Sequence, residues 1–358
     1  MKIYAYVFLI FCILGMSIEY CAKQQSRKAT FIWWTNNLSH DKNTKWYQHL
    51  QSQFKRYGYH LEHQKKHPPQ NSDIVIWAYP QGNLSGISDK QYLVGWLLES
   101  PISLTQPLDK KKAQKFDLIL TYRTDLVDNK KSFFIRIFTR VHDIKKEYWQ
   151  TPKSVLVSQI ASCLSGGLYE ERKVATKWFL ENAPQDFKLY GDGWDKFKKN
   201  LSQKAQKSFK QQYGGYIDNK IQVISESKFV LAYENASQND YVTEKIYDVL
   251  QAGSIPIYLG ASNIDQYVPK ECYINKNDFK TYEDLYSFLK KMDDRTYEGY
   301  RACAYNFVQR PELKELSIIN SVVHHVFDKK EKDFFDLWNK FWVDIANFLI
   351  KFFERKYI

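Results

Sequence analysis

From Lys228 to Pro269 the chain reads KFVLAYENASQNDYVTEKIYDVLQAGSIPIYLGASNIDQYVP: an apolar run, a polar loop, a helical stretch, a Gly turn and a second apolar run. A loop that leaves a strand and opens onto a helix presents unsatisfied N–H groups and the positive end of the helix dipole, and together these favour an anion. Asp240 or Thr243 has the side chain to cap that helix, and Glu244 and Lys245 fall in its first turn. A lysine there runs against the dipole's preference for negative side chains, which points it toward a ligand's charge. The same pair is also the ordinary content of a solvated first turn. The chemistry on offer is the binding of a phosphate-bearing ligand.

The elements that must position these residues follow from periodicity. Ala29 to Trp34, Ser72 to Ala78, Tyr92 to Leu98, Phe116 to Tyr122 and Ser132 to Ile137 read as strands, and Trp46 to Tyr57 carries Trp46, Tyr47, Leu50 and Phe54 at helical spacing. A second α/β unit begins near Ser154. It has a strand SVLVSQI, a helix over Tyr169 to Ala183, strands Phe187 to Tyr190 and Phe229 to Ala232, a helix Thr243 to Ala252 closed by Gly253, and a strand Ile255 to Leu259. At roughly 100 to 200 residues per domain, the length allows about two domains. The boundaries read as 1–25, 26–153, 154–330 and 331–358.

The 358 residues are 44% hydrophobic and 26% charged, with 14 Gly and 10 Pro, which excludes a disordered or collagen-like chain. A net charge of +12 and an aromatic share of 16% fit nucleic acid, an anionic membrane surface, or a small anionic ligand with a sugar-like body. Cys12, Cys21, Cys163, Cys272 and Cys303 contain no C-x-x-C pair, which excludes a cysteine-rich zinc site and leaves free thiols or one or two bridges. Ile3 to Ile18 is uncharged and reads as a signal anchor or a cleaved signal peptide. Four N-x-[ST] triplets begin at Asn37, Asn83, Asn200 and Asn235 and add weak support for a secretory route. From Glu331 onward, Phe334, Phe335, Trp338, Phe341, Trp342, Ile345 and Phe348 recur every three or four residues, an amphipathic helix for packing across the domains or for lying on a membrane.

FVLAYENA (229–236), DYVTEK (240–245) and AGSIPIYLG (252–260), in this order and spacing, resemble the donor-site signature of the α-1,3-fucosyltransferases. Weaker likenesses extend over most of the chain after the N-terminal segment. Glu99-Ser100-Pro101 is similar to the family's E-S-P, with Trp96 one residue closer to the Glu than usual, and Tyr122-Arg123-Thr124-Asp125 is similar to its Y-R-x-D. Ser158, the later Arg172 and Tyr190-Gly191 follow the family's pattern as well. The Pro-Tyr-Gly that usually follows Y-R-x-D is missing, as are the paired cysteines near the C-terminus of many animal members.

The resemblance implies an α/β protein of the GT-B arrangement, two Rossmann-like domains facing a cleft, with GDP-fucose on the second and the acceptor glycan on the first. It implies an inverting transfer of fucose, to O3 of GlcNAc, giving an α-1,3-fucoside. Such a displacement needs a carboxylate to take the acceptor's proton, and Glu99, at the end of an apolar run and before Pro101, is the choice. Neither Asp192-Gly-Trp-Asp195 nor Asp293-Asp294 makes the D-x-D of metal-dependent transferases. Arg172 and Lys245 are therefore assigned to the diphosphate, with no metal required and a divalent ion at most stimulatory. Glu244 is assigned to donor hydroxyls, Tyr241 to the nucleotide and Asn235 to loop order, which makes the Asn235 triplet a poor glycan site. The expected setting is the Golgi membrane, as a single-pass type II protein with a lumenal catalytic part, or alternatively a bacterial envelope. The competing readings are another inverting GT-B transferase and a non-catalytic glycan-binding relative; nucleic acid ranks last among the partners.

Overall fold

Most of the apolar runs too short for helices become strands of two sheets in the computed structural model of the protein. The structure describes residues 27–33, 45–64, 71–78, 87–100, 110–134, 145–311, 313, 319 and 321–327. The N-terminal apolar run, the Asn37 and Asn83 triplets, Pro101 and the aromatic tail from residue 331 lie outside them. Among the described residues no helix is long and apolar enough to cross a membrane. Those up to Trp96, residues 110–120 and those from Ile319 onward form one compact unit; Leu97 to Ser100 and Thr121 to Leu313 form the other.

The first sheet has the order β2-β1-β3-β4-β5-β6, with β1 (Lys28–Trp33), β2 (His60–Gln64), β3 (Ile74–Ala78), β4 (Tyr92–Leu97), β5 (Leu118–Thr121) and β6 (Ser132–Phe134). β1 pairs in parallel with β2 and β3, and β3 with β4. β3 is buried along its whole length, as a central parallel strand should be. Helix α1 (Lys45–Arg56) buries Tyr47, Leu50 and Phe54. Phe327, which the sequence reading grouped with residues 154–330, stacks on Tyr57 and meets Phe54 edge-on in this unit. The short α2 (Lys110–Ala113) precedes β5. β2 was not expected from the sequence. HLEHQ has one apolar residue, Leu61, so an edge strand with one buried side chain leaves no alternation to read.

The second sheet has the order β11-β10-β9-β7-β8, from β7 (Val155–Ile160), β8 (Phe187–Tyr190), β9 (Ser227–Tyr233), β10 (Ile255–Leu259) and β11 (Ile274–Asn275). The pairs β7–β8, β7–β9, β9–β10 and β10–β11 are all parallel. Its helices are α3 (Lys146–Gln150), α4 (Tyr169–Asn182), α5 (Trp194–Phe197), α6 (Gln203–Gln212), α7 (Lys220–Ser225), α8 (Glu244–Gln251), α9 (Tyr282–Lys291) and α10 (Asp294–Val308). Strand period 2 sends Phe229, Leu231 and Tyr233 into a core with Phe179, Phe187 and Leu285. Val230 and Ala232 enter a second core with Ile246, Leu250 and Phe307. Each sheet face is thus covered by helices, the arrangement a parallel sheet needs.

Two local devices hold α8 in register. Gly253 closes the helix at φ +68°, and a Cβ there would sit 2.9 Å from the Trp149 ring. Trp149 donates from Nε1 to the Gln251 carbonyl, and Arg301 donates to the carbonyls of Gly253 and Trp149. A disulfide joins Cys272, beside β11, to Cys303 on α10.

Candidate functional site

After β7 the chain crosses to β8 on one side, then returns to lay β9 on the other side of β7. Connections that leave two neighbouring strands in opposite directions open a crevice at the strands' C-terminal ends, where open α/β sheets bind ligands. The loops after β7 and β9 meet there, with the Leu168 N–H donating to the Asn235 carbonyl at 3.0 Å.

The centre of the site is Glu234, fully buried at the end of β9. Its main-chain N–H continues the ladder to the Leu259 carbonyl. Its carboxylate accepts from the Thr243 N–H (2.8 Å), the Thr243 hydroxyl (2.7 Å) and the Lys245 ammonium (3.1 Å). Lys245 Nζ also donates to Thr243 Oγ1 at 2.8 Å. One carboxylate therefore pins both the cap of α8 and the lysine of its first turn. Room for it comes from Gly260, where a Cβ would lie 2.6 Å from Glu234 Cγ. Thr243 is the N-cap; Asp240, the other candidate, instead takes a left-handed conformation at φ +66° within the loop.

Arg172 enters from the first turn of α4 and is 3% exposed. Its guanidinium donates to the Tyr233 carbonyl (2.5 Å) and to Asn235 Oδ1 (2.9 Å), and lies over the Tyr169 ring at 4.6 Å. Its Nε has no hydrogen-bond partner. Burial pulls the guanidinium below its usual value, opposed by Tyr169, Glu234, Tyr241 and Glu244. Burial likewise works against the charge of Lys245, but Glu234 and Glu244 outweigh it and raise the ammonium above its ordinary value. Glu244 lies 3.6 Å from Lys245 Nζ with one third of its side chain exposed. Burial favours its neutral form, yet Lys245 and Lys220 prevail and lower the carboxyl to about 2. Lys220 in turn pairs with Asp248 on α8 at 2.9 Å.

The structure thus gathers Arg172, Asn235, Tyr241, Glu244 and Lys245 around the start of α8. Asn235 bridges Arg172 and the Tyr241 hydroxyl, which leaves its amide engaged within the protein. Tyr241 is only 2% exposed and packs on Tyr122 at 5.0 Å, so it supports the loop and offers little surface to a nucleotide. Glu99 follows β4 in the same compact unit, half-buried, and its carbonyl accepts from the Tyr122 hydroxyl at 3.2 Å. Glu234 had no role in the sequence reading. The available signal was a carboxylate ending an apolar strand, nine residues before a threonine and eleven before a lysine. Among the described residues, no group of three or more His, Cys, Asp or Glu could hold a metal ion.

Two sheets built from parallel strand pairs are an α/β architecture that this chain shares with solved proteins bound to UDP and glucose or to GDP-fucose. Anabaena HepE in complex with UDP and glucose matches with a TM-score of 0.54 over 85% of this chain and 100% of that one, at 11% identity. An alpha1,3-fucosyltransferase with GDP-fucose matches with a TM-score of 0.50 over 83% of this chain and 90% of that one, at 18% identity. At these identities the likeness is one of fold. Within it, residues 192–316 match the family model for the C-terminal part of glycosyltransferase family 10 (fucosyltransferase). The mouse 4-galactosyl-N-acetylglucosaminide 3-alpha-L-fucosyltransferase 9 is 37% identical over 99 residues, 26% of this chain and 28% of that protein. An Arabidopsis thaliana alpha-(1,4)-fucosyltransferase is 39% identical over 85 residues, 22% of this chain and 21% of that protein. The chain thus spans about a quarter of the length of the curated relatives it matches.

Proposed function

We propose that the protein is an inverting fucosyltransferase that moves L-fucose from GDP-fucose to an acceptor glycan, at O3 of GlcNAc, giving an α-1,3-fucoside. The acceptor oxygen bonds to the anomeric carbon as that carbon's bond to the β-phosphate oxygen breaks. The acceptor's proton passes to the Glu99 carboxylate, and GDP departs. Arg172 and Lys245 take up the charge that grows on the departing diphosphate. Glu244 accepts hydrogen bonds from donor hydroxyls, and Asn235 and Tyr241 keep the loop in shape. No metal is required in this scheme.

The observation that carries the reading is Lys245 in the first turn of α8, held by the buried Glu234 carboxylate within the stretch matched by the fucosyltransferase family model, with Arg172, outside that stretch, bound to Asn235 of the same loop and keeping an unfilled N–H. The two relatives differ in linkage, α-1,3 against α-1,4, so linkage is part of the proposal. We propose a Golgi lumenal or bacterial envelope setting, supported by the apolar N-terminal run and the Cys272–Cys303 bond, which needs an oxidising compartment. The test is incubation with GDP-fucose and N-acetyllactosamine, chitobiose-core and galactoside acceptors, followed by linkage analysis of the product. Fucoside formed at O3 of GlcNAc is expected. Turnover of a UDP-sugar with none of GDP-fucose would overturn the donor assignment.

A further inference from the structure

The loop between β9 and α8 is held from outside by the segment that follows β5, and that same segment holds the residue proposed as the base. Tyr122, 1% exposed, directs one hydroxyl at two partners: the Glu99 carbonyl at 3.2 Å and the Gln238 side-chain oxygen position at 3.1 Å. With the Gln238 amide turned so that its NH2 donates to the hydroxyl, and the hydroxyl donating to Glu99, both bonds form at once. The Tyr122 ring meanwhile packs on Tyr241 at 5.0 Å. Two residues further on, the Thr124 hydroxyl donates to Asp240 Oδ2 at 2.9 Å. Asp240 sits in the left-handed region, which disfavours most residues other than glycine, and these bonds hold it there. Its other carboxylate oxygen accepts from Asn263 and from Tyr267, both at 2.7 Å, and its N–H donates to Asn263 Oδ1. All these residues lie in one compact unit.

We infer that Tyr122 is a positioning residue for the proposed transfer: its hydroxyl ties the main chain of Glu99 to Gln238 of the donor loop, so that base and donor loop are set by one group. The inference rests on the proposed function for its kinetic consequence and on the geometry alone for the tie. Burial keeps the phenol protonated, above its ordinary titration range, so the tie persists across the working pH. Thr124, Asn263 and Tyr267 hold the Asp240 end of the loop independently. Loss of the Tyr122 hydroxyl therefore cuts the tie between Glu99 and Gln238 while the start of α8 stays in place.

The test is Tyr122→Phe, which keeps the ring against Tyr241, with Gln238→Leu as a second variant that cuts the loop side alone. In the ligand-free protein the Tyr241 N–H donates to the Gln238 carbonyl at 3.2 Å, so its hydrogen exchange reports the tie without any activity. Exchange in a peptide covering 238–242 is expected to quicken about fivefold in either variant and no further in the double variant, the scale of one net hydrogen bond. In transfer assays Tyr122→Phe is expected to lower kcat about five- to tenfold, with KM for GDP-fucose within twofold. Exchange within twofold of the parent in both variants overturns the tie. Faster exchange with unchanged kcat in an active parent overturns the positioning role. If the parent transfers nothing from GDP-fucose, the proposed function fails, and the exchange result still decides the tie.

Discussion

Glu234→Gln is the sharpest probe of the site, because it changes a charge and almost no volume. Three donors converge on the carboxylate within 3.1 Å, from Thr243 N, Thr243 Oγ1 and Lys245 Nζ. A glutamine oxygen can still accept from Thr243, but its NH2 then faces the lysine, donor against donor. Removing one partner of a buried ion pair costs about 3–5 kcal/mol, and a hydrogen bond to a charged group is worth about 1.5–3 kcal/mol. Lys245 keeps 20% of its side chain in solvent and has Glu244 at 3.6 Å, so the lower part of that range applies, about 2–3 kcal/mol. For a unit of this size, that is a fall in the unfolding midpoint of roughly 5–10 °C at roughly 2–4 °C per kcal/mol. An ammonium released from Glu234 swings toward Glu244, which is expected to weaken GDP binding at least tenfold. Differential scanning calorimetry and calorimetric GDP titration measure the two effects. A variant with the parent's midpoint and the parent's GDP affinity would refute the claim that Glu234 holds Lys245 and the cap of α8.

Glu99→Gln removes the proposed base without touching the cations, so transfer is expected to stop while GDP affinity stays within twofold; full activity in a radiolabelled fucose assay rules Glu99 out. Lys245→Ala removes one of the two cations proposed for the diphosphate, and equilibrium binding should show GDP affinity at least tenfold weaker; unchanged affinity removes the residue from the proposed site. Glu244 titrates at about 2 in the folded protein, below the ordinary 4.5. The stability this lends is therefore present above about pH 4.5 and lost as pH falls through about 2, and acid unfolding of Glu244→Gln should lack that part of the pH dependence. For Lys245 the shift is upward, so its contribution is whole below the ordinary lysine range and is lost only at alkaline pH.

Strands whose burial is complete announce themselves. β9 and β10 are apolar along almost their whole length, and α8 between them is bounded by Thr243 and Gly253, so each was legible within a residue or two. α6, α9 and α10 were not assigned, because Lys, Gln, Tyr and Asp on their outer faces dilute the apolar period. Lys245 and Glu244 were legible as members of a helix's first turn. Asp240 was a plausible cap from its residue type alone, and only the loop's closure on Thr124, Asn263 and Tyr267 turned it away from that task.

Sequence alone determined the alternation of strands and helices, the anion-friendly opening of α8 and the resemblance through which Arg172 and Glu99 were singled out. These are properties of contiguous residues, where period, cap and turn chemistry act over a few positions. The tertiary structure decided which distant groups share a charge or a proton. Arg172 reaches residues 61 and 63 positions away, and Tyr122 reaches one 116 positions away. Such pairs depend on strand order and crossover direction, which no local pattern records. The buried carboxylate of Glu234 shows the difference most plainly: in the sequence it is one acid after an apolar run, and in the fold it is the group that holds the cap and the lysine, in space that Gly260 leaves open.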